Sequence, residues 1–152
     1  MIMSNFKFVF SILMIMHAVL CTSPALGQDM DLTIIGSNES VPDEMSLNLL
    51  RSVLLGEKQR WNDGKTIKIA LMKTSTPVGL NTCKKIYDMT GNELNKYFLA
   101  LVFQGKVKAP TFFNSQDELE KYIAHTPGAI GVGQKITDNQ IKTVRVDGKS
   151  QI

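Results

Sequence analysis

From Ser46 onward, Leu47, Leu50 and Leu54, with Leu49 and Val53 beside them, recur at the 3.6-residue period of one helix face. Gly56 stops that helix, and the polar stretch from Glu57 to Arg60 follows. Trp61-Asn62-Asp63-Gly64 reads as a tight turn, because Asn and Asp before Gly tolerate positive φ. Ile67, Ile69 and Leu71 then alternate with Lys68 and Ala70, the two-residue period of a strand with one buried face. Thr76-Pro77 opens the next helix: Thr is a cap, and proline lacks an N–H that the first turn would leave unpaired. This helix runs through Cys83, Ile86 and Tyr87, and Gly79 weakens its first turns.

A third helix follows Thr90 and Glu93, which stand at capping-box spacing. It places Leu94, Phe98, Leu101 and Val102 on one face and ends at Gln104-Gly105. Pro110 and Phe112-Phe113 form a loop or a short extended piece. Ser115 and Glu118 repeat the capping-box spacing ahead of a helix carrying Leu119, Tyr122 and Ile123. Thr126-Pro127-Gly128 breaks it, and Ala129-Ile130-Gly131-Val132 reads as a short buried strand whose small residues allow close backbone approach. A first strand spans Leu32 to Ile35, closed by Gly36-Ser37-Asn38; Pro42-Asp43-Glu44 supplies turn and acidic helix-start signals. Thr143 to Val146 is a final strand before a loose tail.

The start of the chain belongs to a different class. Phe6 to Leu20 is apolar apart from Lys7, Ser11 and His17, and Pro24-Ala25-Leu26-Gly27 ends it with small residues. A span needs about 20 apolar residues, so the run reads as a signal peptide over 1–27, cleaved after Gly27 or Ala25, with a retained anchor as the alternative. Residues 28–152 then form one domain, exported to the periplasm or secreted, with no membrane span after cleavage. Without Lys7, sixteen basic residues face fourteen acidic ones, a net charge of +2. They are interspersed, without the clustered cations that displace counterions from nucleic acid, so nucleic acid is not an expected partner.

Candidate chemistry is sparse. Past the leader, which takes Cys21 and His17, only Cys83 and His125 remain, too few for a transition-metal site. A Cys83–His125 nucleophile pair is conceivable, but Cys83 stands at helical spacing from Tyr87, the pattern of a core cysteine. There is no Gly-x-Ser-x-Gly, Walker A loop or dinucleotide fingerprint. No catalytic residue and no cofactor is expected.

The order of these pieces carries a further signal. Leu50-Arg51 through Leu54-Leu55-Gly56-Glu57-Lys58 precedes Trp61-Asn62-Asp63-Gly64; Phe103-Gln104-Gly105-Lys106 and Pro110 follow; Pro127-Gly128-Ala129-Ile130-Gly131 closes the block. In this order and spacing, residues 31 to 133 resemble the phosphate ABC transporter substrate-binding protein family. The resemblance implies an α/β fold, one lobe of a type 2 periplasmic-binding-protein-like unit with a small mixed or parallel sheet flanked by helices. It implies a non-enzymatic role: capture of a small oxyanion such as phosphate, with a membrane transporter as partner. The alternative is a single-lobe accessory module that has lost ligand capture and joins an envelope protein complex.

In that family a strand leads to an arginine and a Gly-Ser-Gly-Thr-like turn that grips phosphate by hydroxyls and N–H groups at a helix N-terminus. The matching stretch here is Leu71-Met72-Lys73-Thr74-Ser75-Thr76-Pro77. Lys73 offers charge and Thr74, Ser75 and Thr76 offer hydroxyls, but the glycines are missing and Pro77 removes a donor. Ser75 and Thr76 also fit plain helix capping. Gly36-Ser37 is the second candidate, either aiming N–H groups at a ligand or forming an ordinary turn. Arg51 and Lys58 read as solvated, and Trp61 as a lid over the core.

Overall fold

The computed structural model describes residues 30–152; the expected signal peptide lies outside the described residues. The elements in chain order are β1 (Thr33–Ser37), β2 (Glu44–Met45), α1 (Leu47–Leu54), β3 (Lys68–Met72), α2 (Pro77–Thr82) continued by a π-helical turn (Cys83–Tyr87), α3 (Gly91–Phe103), β4 (Thr111–Phe113), α4 (Gln116–Ala124), β5 (Ala129–Gly133) and β6 (Ile141–Val146). The six strands form one mixed sheet in the order β2-β6-β1-β5-β3-β4.

The sheet's polarity organises everything else. β3 is parallel to both β5 and β4, with Ala70 opposite both Gly131 and Thr111. β1 is antiparallel to β5 and to β6, and β2 is parallel to β6. Five strands therefore point one way and β1 alone is reversed. Parallel neighbours need crossover connections: α2, the π turn and α3 link β3 to β4, and α4 links β4 back past β3 to β5. Outward and return crossovers of the same hand place their helices on opposite faces of the sheet. β3 is thus covered on both sides, and Ala70, Leu71 and Met72 are all buried. The alternation expected for β3 does not hold in its second half, because a parallel strand between two helical layers has no solvent face.

Local signals fix the helix starts. Ser46, Thr76, Thr90 and Ser115 each accept a hydrogen bond from the backbone N–H three residues on. The capping box of α3 is complete: the Thr90 N–H donates to Glu93 Oε2 at 2.7 Å. Trp61 is buried as the expected lid, and its indole N–H donates to the Gly128 carbonyl at 2.9 Å. Tyr87 and Tyr97 donate from their hydroxyls to the carbonyls of Leu54 and Leu55, satisfying carbonyls left unpaired at the C-terminal end of α1.

Several expectations are corrected. Gly36 and Ser37 lie inside β1 rather than in a turn after it. Pro42-Asp43-Glu44 leads into strand β2, not directly into a helix. The tail is tied down: Leu32 and Ile152 exchange two backbone hydrogen bonds of 2.9 Å. Val102 does not share the buried face of α3 with Leu94 and Phe98 but is exposed.

The sequence pattern did not mark Glu120, yet it is the one acidic residue buried among the described residues, at 2% exposure. Its carboxylate accepts from Gln116 Nε2 at 2.6 Å, the Thr137 hydroxyl at 2.7 Å, and the Thr137 and Asp138 N–H groups at 3.2 and 3.0 Å. It so pins the loop before β6 to α4. Burial pushes the carboxyl up, but the bonds from Gln116, Thr137 and Asp138 outweigh it and hold the group below its ordinary 4.5. The folded value is depressed, so this stabilisation is complete above the ordinary value and is lost as pH falls through the lowered one. Glu120→Ala should cost about 2 kcal/mol near neutral pH by removing the charged acceptor that Gln116, Thr137 and Asp138 share. Denaturant unfolding should show the gap from wild type narrowing below pH 4.5; an unchanged midpoint at pH 7 would contradict the role.

Candidate functional site

The C-terminal ends of parallel strands are where open α/β sheets place ligands, and here that end gathers the sequence-predicted turn. β3 leaves the sheet at Lys73, whose N–H donates to the Phe113 carbonyl at the end of β4 at 2.9 Å. The turn closes when the Thr76 N–H and hydroxyl both donate to the Lys73 carbonyl, at 2.9 and 2.8 Å. The same hydroxyl accepts from the Gly79 N–H at 3.0 Å. Thr76 is therefore the N-cap of α2, with Pro77 in the first turn as expected. Lys73 and Ser75 are exposed, and Thr74 is half-buried.

Gly79 explains how the turn is shaped without the glycines of the family's pattern. A β-carbon at Gly79 would lie 2.1 Å from the Lys73 carbonyl oxygen and 2.9 Å from that of Met72. The helix backbone presses directly on the end of β3, and only glycine permits it. Two further helix starts meet the same turn. Gly91, the first residue of α3, stands against Thr74, whose Cβ would be 2.8 Å from a β-carbon there. Ser115 caps α4 two residues after β4 ends beside Lys73. Gln116 on that helix accepts from the Gln134 N–H just beyond β5, at 3.1 Å. The N-termini of α3 and α4 carry partial positive charge and face this end of the sheet. Sequence reasoning did not connect them to Lys73–Thr76, although Thr90 and Ser115, each with Glu three residues on, marked where each helix begins.

The structure does not bring Gly36-Ser37 to this site. Gly36 pairs with Ile130 near the start of β5, whereas Thr33 pairs with Gly133 at its end. Because β5 is parallel to β3, Ser37 sits at the opposite end of the sheet from Lys73. It is also occupied: its hydroxyl donates to the Glu39 carbonyl at 2.7 Å and accepts from the Gly128 N–H at 3.0 Å. Gly36 is glycine for packing, since a β-carbon there would meet Val41 at 2.6 Å.

Cys83 is buried in the π turn, and burial pushes its thiol up, away from the thiolate a nucleophile needs. His125 is exposed at the end of α4, with Nδ1 2.8 Å from the Lys121 carbonyl oxygen. Among the described residues no group of three or more His, Cys, Asp or Glu is placed to hold a metal ion. Among them, too, no helix is long and apolar enough to cross a membrane.

The same mixed α/β fold recurs in part of several solved structures. An ABC-type phosphate transport receptor from Vibrio cholerae is similar over 80% of this chain and 49% of its own, with TM-score 0.63 and 12% identity. A putative phosphate ABC transporter substrate-binding protein from Clostridium perfringens, solved with bound phosphate, is similar over 78% and 46%, with TM-score 0.58 and 13% identity. PstS from Borrelia burgdorferi is similar over 78% and 48%, with TM-score 0.54 and 22% identity. No protein-family model and no curated protein matches the chain. The chain spans about half the length of these structures and has their mixed α/β fold, in accord with the resemblance read from its sequence.

The close contact at Gly79 gives a direct test of the turn. Gly79→Ala should destabilise the protein by about 2 kcal/mol or more, because backbone rather than a mobile side chain must give way. Thr76→Ala should cost about 1 kcal/mol and Thr76→Ser much less, since serine keeps the cap. Chemical denaturation of the three variants checks the order; an unaltered Gly79→Ala protein would refute the close approach.

Proposed function

We propose that this protein is an exported, non-enzymatic binding module that captures a small oxyanion such as phosphate at the Lys73–Thr76 turn. The observation that carries this reading is its likeness in fold to a phosphate transport receptor and to a putative phosphate transporter substrate-binding protein with phosphate bound. The turn supports it chemically. Lys73 supplies a full positive charge, and Thr74 and Ser75 supply hydroxyls at the C-terminal end of β3. The N-termini of α3 and α4 add partial positive charge beside them. Thr76 shapes the turn and keeps its hydroxyl for Lys73 and Gly79. A membrane transporter is the partner this reading implies, and the periplasm or the exterior the compartment.

A second reading is favoured by one specific feature. The hydroxyl of Thr76 is committed to the cap, and Pro77 removes a donor from the same helix start. A module with this fold and a weakened anion cradle serves instead as an accessory protein in an envelope complex.

Titration calorimetry with phosphate and sulfate separates the two. Oxyanion capture predicts measurable heat and a rise in Tm at millimolar phosphate. The double substitution of Lys73→Ala with Ser75→Ala should weaken binding about 10- to 100-fold, the worth of one or two hydrogen bonds to a charged ligand. Absence of both heat and thermal shift at millimolar oxyanion would overturn the first reading.

A further inference from the structure

β4 is the outermost strand of the sheet, paired only with β3, so its other edge offers unpaired backbone groups. The two faces beside that edge differ sharply in chemistry. On one face, Phe112 and Pro110 line an apolar groove of about 200 Å³ with Leu99 and Val102 of α3. Leu99 is 57% exposed, and Phe103 on the next turn is 82% exposed. On the other face, Thr111 lines a groove of about 400 Å³ that reaches Tyr122 of α4 and the loop after α1. Lys58, Arg60, Lys68 and Lys108 surround it, and no acidic residue lines it. Among the described residues none of these four forms an ion pair.

We infer that the β4 edge is a docking site for an extended acidic polypeptide that adds as a strand and alternates apolar with acidic side chains. Side chains of an added strand point to opposite faces in turn. Apolar residues of such a peptide enter the Leu99–Phe112 groove, and Asp or Glu residues between them meet the lysines and Arg60 on the other face. The Lys58 ammonium donates to the side-chain Oδ1 of Asn62 and the Arg60 guanidinium to the Gly64 backbone carbonyl, bonds that hold the loop in place without neutralising it. A second copy of this chain does not fit: pairing of β4 with itself across a two-fold axis sets one cationic groove beside another. A membrane surface does not use a strand edge or reach into two grooves on opposite faces. The two grooves lie along this edge and toward the N-terminal end of β3; β4 meets the Lys73–Thr76 turn only at the Phe113 carbonyl, which accepts from the Lys73 N–H, and the docking proposal does not depend on oxyanion capture.

The test uses the full chain and three eight-residue peptides: alternating Glu and Val, alternating Lys and Val, and four Glu followed by four Val. Amide chemical-shift mapping should show saturable binding of the Glu–Val alternation alone, with the largest changes at Thr111 to Phe113. Lys68→Glu combined with Lys108→Glu should weaken it at least tenfold, and Leu99→Ser about fivefold, while the thermal response to phosphate stays as in wild type. Both lysines and Leu99 are exposed, so thermal unfolding should confirm that the variants fold. The proposal is overturned if the Glu–Val alternation does not bind, if the block peptide binds equally well, if the shifts map elsewhere, or if vesicles of phosphatidylglycerol compete the peptide away.

Discussion

The burial of β3 on both faces is the constraint on which the rest of the structure depends. Ala70, Leu71 and Met72 are all buried, so helical layers cover both sides, and crossover connections supply them. Parallel pairing with β4 and β5 follows, and with it the gathering of helix starts at one end. Lys73 is placed by that logic rather than by any local motif. Its backbone is held by Phe113 on one side and by Thr76 on the other, and Gly79 presses the following helix against it. The same polarity sends the loop after α1 and the segment before β4 to the opposite end, where the cations of Lys58, Arg60, Lys68 and Lys108 collect.

Much of the fold was legible along the chain because it is written locally. Thr76, Thr90 and Ser115 announce their helices with hydroxyls three residues ahead of the N–H groups they cap. Trp61 fell where a lid was expected because its indole finds Gly128 across the sheet end. What escaped was non-local. β2 has two residues, and its pairing partner Arg145 lies a hundred positions away. The tail was read as loose because nothing near Ile152 reveals that Leu32 will pair with it. A π turn in place of continued α-helix at Cys83–Tyr87 leaves no mark in the apolar spacing.

The candidate site divides in the same way. Lys73 to Thr76 were singled out by the family resemblance and by their charge and hydroxyls, and they stand together at one end of the sheet. Gly36-Ser37 was the second candidate in the sequence, beside the reading of an ordinary turn, but a strand's direction is not visible in its composition. Reversal of β1 alone carries Ser37 to the far end, where its hydroxyl serves Glu39 and Gly128. The two helix starts that do flank Lys73 come from segments 18 and 42 residues further on, about as far as single-chain reading reaches without knowing the strand order. Glu120 shows the cost of the opposite case, a polar residue inside: it is tolerated only because Gln116, Thr137 and Asp138 supply its hydrogen bonds.

The most direct measurement of the central claim is residue-resolved: backbone amide shifts of the isotope-labelled protein followed during addition of phosphate. If the strand polarity builds an anion site, the largest changes fall at Lys73 to Thr76, with smaller ones at Gly91 and Ser115. Changes centred on Gly36-Ser37, or no change anywhere at millimolar phosphate, would contradict it.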